Sequence, residues 1–100
     1  MSKSQRDKGA RAEREFAQLT GGHRVPLSGA VEGYEGDVIC FDLKAQVKAR
    51  GNGGGFSLLY RWLEGHDILA VKADRKQWLV VLPVDKFVQI MNENSSFIIE

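Results

Sequence analysis

One hundred residues, 43% of them apolar, suffice for one compact domain whose core needs neither disulfides nor a structural metal, with no room for a second catalytic module. A net charge of +1 is not that of a strongly basic nucleic-acid coat; no apolar run approaches the roughly 18 residues of a membrane span, and the polar, charged start lacks a secretory apolar region. The single cysteine, Cys40, can form no internal disulfide and has no CxxC or Cys/His companion for zinc, so it reads as a core residue of a cytoplasmic chain.

From about Asp7 to Leu19 the spacing predicts a helix, with Ala12, Phe16 and Leu19 as its apolar stripe, Ala10 and Ala17 beside them, and Gly21-Gly22 as its stop. Glu13 has Gly9, Ala10, Phe16 and Ala17 one turn away, which places its carboxylate at the edge of the packed face. The charge is uneven along the chain. Lys3, Arg6, Lys8, Arg11 and Arg14 face only Asp7 and Glu13 in this first stretch, and such a local basic patch can meet phosphates even when the net charge is small.

His23 to Leu27 reads as a short strand ended by Pro26, followed by a glycine-rich loop from Ser28 to Gly36. A tight hairpin follows, Gly36 to Phe41 and Leu43 to Lys48. With Asp42-Leu43 as a two-residue loop, Asp37 faces Lys48 and Ile39 faces Gln46, and alternation puts all four on one face. Ala49-Arg50 and the run Gly51 to Gly55 are too rich in glycine for regular structure and predict a flexible connection.

Ser57 is the expected cap of a short helix through Glu64 that presents Leu58, Leu59, Trp62 and Leu63 and ends at Gly65. Asp67 to Ala73 and Gln77 to Leu82 form a second hairpin around Asp74-Arg75-Lys76, its strands covered on at least one face. Val84 to Met91, opened by Pro83, is the last helix. Trp62 and Trp78 read as core or interface residues. His23 and His66 have no ligand spacing and read as surface or strand-end residues. The order of elements predicts an α/β fold with a mixed central β-sheet flanked by helices, in a single domain over residues 1–100.

Two carboxylates and a lysine converging on one hairpin and one helix suit phosphodiester chemistry. Hard oxygen ligands hold a divalent cation that polarises the phosphate, and a fixed positive charge meets the developing negative charge. Glu13 and Asp37 supply the acids, Lys48 the charge, and the Val47 carbonyl an additional oxygen. The Gly53-Gly54-Gly55 run is not followed by GK[ST], so no nucleotide cofactor is expected; it reads better as a DNA-facing flap.

These residues resemble the PD-(D/E)XK nuclease superfamily and, within it, the archaeal- and phage-type Holliday junction resolvases. Lys8-Gly9 followed by Glu13 is similar to the family's first-helix motif, Pro26-Leu27-Ser28-Gly29 to its loop serine, Gly36-Asp37-Val38-Ile39 to its PD strand with Gly36 in place of proline, and Gln46-Val47-Lys48 to its ExK strand. Residues 51–100 match only in outline. The resemblance implies a restriction-endonuclease-like core and a Mg²⁺-dependent endonuclease, with Mn²⁺ as substitute, that cuts four-way DNA junctions as a homodimer. Glu13 and Asp37 would then ligate metal with Gln46 and the Val47 carbonyl, and Lys48 would orient the nucleophile. Ser28 would contact phosphate near the scissile bond, and Arg6, Lys8, Arg11 and Arg50 would hold the DNA backbone.

Gln46 departs from the pattern, where a glutamate is expected; an amide offers a neutral oxygen, brings no charge and cannot act as a base. Two alternatives stand beside the resolvase reading: another superfamily nuclease of restriction or repair type, and a DNA-binding relative without catalysis. Leu58, Leu59 and Trp62, or the tail Phe97-Ile98-Ile99, are the candidate dimer surfaces.

Overall fold

The computed structural model describes the backbone of residues 3–25 and 37–99, with side chains over 8–25 and 37–94. The chain is α/β and falls into two compact units, Met1–Arg50 and Gly51–Glu100. Among the described residues both sheets are antiparallel, one of three strands and one of two, where a mixed sheet was expected. No helix among the described residues is long and apolar enough to cross a membrane.

The first unit opens with helix α1, Lys3–Thr20, which starts earlier than Asp7 because Lys3 to Arg6 contains nothing that breaks a helix. Its end is a Schellman turn: Gly21, at φ 72°, donates to the Gln18 carbonyl and Gly22 to the Ala17 carbonyl. The packed face differs from the expected one. Ala17 and Thr20 are buried with Glu13 one turn before them, while Leu19 is 55% exposed, so the helix is turned by roughly a quarter-turn from the Ala12/Phe16/Leu19 stripe. Small side chains let the helix lie close to the strands, and the Thr20 hydroxyl tolerates burial by donating to the Phe16 carbonyl at 2.8 Å.

Strand β1, His23–Arg24, pairs with β2, Val38–Cys40, which pairs in turn with β3, Leu43–Ala45. Against β1 the register is His23 with Ile39 and Arg24 with Val38. Val38, fully buried, and Cys40 form the inner face that α1 covers, together with Val25 and Ala17. His23 is exposed, as expected. Pro26 to Gly36, including Ser28, lie outside the described residues.

The β2–β3 pairs are Val38 with Ala45, Ile39 with Lys44 and Cys40 with Leu43. The loop is therefore Phe41-Asp42 and not Asp42-Leu43, and the register does not bring Asp37 opposite Lys48. Phe41 at φ 51° and Asp42 at φ 63° supply the two left-handed positions that a tight hairpin turn requires, without the usual glycine. Aspartate adopts this region more readily than most residues, and the choice keeps Cys40 on the inner face.

In the second unit the glycine run forms no helix or strand, as expected, but a succession of hydrogen-bonded turns. Gly54 donates to Asn52 Oδ1, Phe56 and Ser57 both donate to the Gly53 carbonyl, and these turns lead directly into helix α2, Ser57–Leu63. Phe56 holds the cap position and no side chain caps the helix; the Ser57 hydroxyl turns back to the Gly53 carbonyl instead. Strands β4, Leu69–Val71, and β5, Leu79–Val81, are shorter than expected and join through a turn closed by Lys76 N–H to the Ala73 carbonyl. Trp62 and Trp78, at 52% and 60% exposure, are not core residues. Helix α3, Val84–Ile99, continues past Met91 through Phe97-Ile98-Ile99.

Gly22 passes close against β2. A Cβ there would run into the Ile39 carbonyl oxygen and lie 2.9 Å from Cys40 Cβ. Gly22→Ala is expected to destabilise the chain by about 1–3 kcal/mol, read as a lower midpoint in urea unfolding.

Candidate functional site

Asp37 stands where the sheet's regularity ends. Its carbonyl accepts from Val25 N–H at 3.1 Å, continuing the β1–β2 register, but its own N–H turns to the Ala45 carbonyl at 2.7 Å, one residue out of step with the β2–β3 ladder. This is the hydrogen-bond pattern of a bulge, a device that redirects a side chain at a strand end. The redirected carboxylate reaches across: Asp37 Oδ2 accepts the Val47 N–H at 2.8 Å.

Gln46, Val47 and Lys48 lie past the end of β3, outside any assigned strand, not in the ladder as expected. The pairing by alternation of Asp37 with Lys48 is thus replaced by a direct contact between the Asp37 carboxylate and the backbone midway between Gln46 and Lys48. Gln46 and Lys48 are exposed, and Val47 is half-buried.

Glu13 arrives from the helix. Its side chain is 20% exposed, and Oε1 takes both Arg24 Nη2 at 2.9 Å and Arg24 Nε at 3.0 Å. Arg24 precedes Val25, the residue that donates to the Asp37 carbonyl, so the ion pair ties Glu13 to the strand position beside Asp37. With Arg24 42% exposed, the pair contributes no more than about 1 kcal/mol to stability. Arg24 was not among the residues anticipated from sequence. Its signal was only a basic residue in a predicted strand near the glutamate-bearing helix.

The outer face of α1 carries the basic residues. Lys8, Arg11 and Arg14, with Glu15, Gln18, Ala12 and Ala49, line an open hollow of about 560 Å³. Ala49 brings the segment after Lys48 alongside these cations, an arrangement that suits phosphate oxygens. Arg6 lies in α1, and Arg50 is exposed at the end of the unit. Ser28 falls outside the described residues.

Among the described residues no three His, Cys, Asp or Glu side chains gather into a metal-binding group. Two carboxylates, an amide oxygen and the Val47 carbonyl are nonetheless all hard oxygen donors, the chemistry that Mg²⁺ takes. No protein-family model, curated protein or solved structure matches the chain.

Because Asp37 replaces a ladder partner for Val47, its loss has a structural cost. Asp37→Ala is expected to destabilise by about 1–2 kcal/mol and Asp37→Asn, which keeps an acceptor oxygen, by less than half of that, measured by urea unfolding.

Proposed function

We propose that the chain is a metal-dependent endonuclease of PD-(D/E)XK type that resolves four-way DNA junctions, acting as a homodimer on a restriction-endonuclease-like core. The observation that carries this reading is the 2.8 Å contact of the Asp37 carboxylate with the Val47 amide, which sets the acid of one strand against the Gln46-Val47-Lys48 segment of the next. The basic hollow on α1, with Ala49 in its wall, supports a nucleic-acid substrate running past that segment.

In this reading Glu13, Asp37, Gln46 and the Val47 carbonyl would hold Mg²⁺, which when bound supplies Lewis-acid polarisation of the phosphate and a more acidic water. Lys48 would bring its ammonium to the charge that grows on the phosphoryl oxygens. Gln46 would bring a neutral oxygen and no charge, so two acids would carry the whole anionic attraction for the dication. Lys8, Arg11 and Arg14 hold the backbone of the bound strand and position it without reading its sequence. Two cuts in opposed strands call for two such sites related by a two-fold axis.

The test is cleavage of labelled junction, flap and linear duplex DNA across a Mg²⁺ titration. Junction cleavage is expected in the wild type, with Asp37→Asn losing at least about 100-fold in rate while still binding junction. Gln46→Glu is expected to cut at least as well and at lower Mg²⁺. Preferential cutting of flaps or linear duplex would assign the chain to another nuclease class. Binding without cleavage in Mg²⁺ or Mn²⁺ would make it a DNA-binding protein.

A further inference from the structure

The Arg24 guanidinium converges on a single carboxylate oxygen through two nitrogens, Nη2 at 2.9 Å and Nε at 3.0 Å, and that oxygen belongs to Glu13. Both partners are open to water, at 42% and 20% exposure, so the pair adds little to stability and can exchange. A guanidinium keeps its charge at any pH at which the protein folds. It therefore occupies, with one permanent positive charge, an acid that a divalent cation would also need. Arg24 is held there by the strands: it pairs with Val38, and its successor Val25 donates to the Asp37 carbonyl. The charge thus sits between the two acids of the site in the order of the backbone, on the strand beside Asp37 and in contact with Glu13.

We propose that Arg24 is the resident counter-ion of Glu13, competing with a divalent cation for that carboxylate and so setting the concentration at which the site loads. The proposal rests on the nuclease reading, in which Glu13 is a metal ligand, and it makes Arg24 a positioning residue. With Gln46 contributing no charge, the site has two acids, and one of them is neutralised by Arg24 until the ion arrives. Loading then requires the guanidinium to release or share Oε1, and removing its charge removes both the competition and the repulsion of the incoming ion.

The experiment is direct Mn²⁺ binding in the absence of nucleic acid, followed by the electron paramagnetic resonance of the free ion. Arg24→Gln is expected to bind Mn²⁺ about 3–10-fold more tightly than wild type, Arg24→Lys to stay within about twofold, and Glu13→Gln combined with Arg24→Gln to lose the gain. Arg24→Met, which keeps the apolar stem, is held to the same expectation as Arg24→Gln and decides the matter if the latter fails to fold. Equal or weaker binding by both charge-removing variants, with circular dichroism and thermal midpoint unchanged, overturns the counter-ion role. If the wild type binds Mn²⁺ in that case and Asp37→Asn abolishes the binding, the nuclease reading survives. Absence of binding in wild type and variants alike overturns both.

Discussion

A two-residue turn with no glycine, Phe41-Asp42, holds β2 against β3, and the pairing it imposes ends one residue short of Asp37. From that end two consequences run through the first unit. The Asp37 backbone is shared, its carbonyl serving β1 and its amide β3, and its carboxylate is sent to the Val47 amide. Had the turn been at Asp42-Leu43, Cys40 would pair with Ala45 and the ladder would run on toward Lys48. The acid would then have had a regular place on one face and no backbone donor to meet.

Helix α1 serves three purposes with three faces. One, with Ala17 and Thr20, lies on the sheet; one, with Glu13, reaches the strand that carries Arg24; and one carries Arg11 and Arg14 toward solvent. The division is possible because the packed stripe is narrow and built from small side chains. A broader stripe of leucines would have covered the position from which Glu13 reaches Arg24.

Much of this was legible in the residues. The helix stop at Gly21-Gly22, the strand through Val38 to Cys40, the second hairpin and the start of the last helix all follow from local chemistry that nothing in the tertiary structure overrides. What failed to show was phase and register. Leu19 is the most hydrophobic residue at the end of α1, yet close approach at Gly22 favours Ala17 and Thr20, and a helical pattern cannot express that steric demand. Similarly, Phe41 carries no turn signal, yet it stands at φ 51° in the turn next to buried Cys40. The glycine run after Arg50 has no helix or strand, as its composition indicates, but composition does not record the Asn52 and Ser57 side chains that bond to its backbone. The order of Glu13, Asp37 and Lys48 is legible in the sequence. The ion pair of Glu13 with Arg24 is not, because a pairing between helix and edge strand leaves no spacing to read.

The chain's one thiol lies beneath α1 at 3% exposure, next to the tight passage of Gly22. Burial shields it from reagents in the closed unit. Its alkylation therefore reports local openings of the first unit, and the rate of that modification is an intrinsic clock for them, set into the sequence without any added probe.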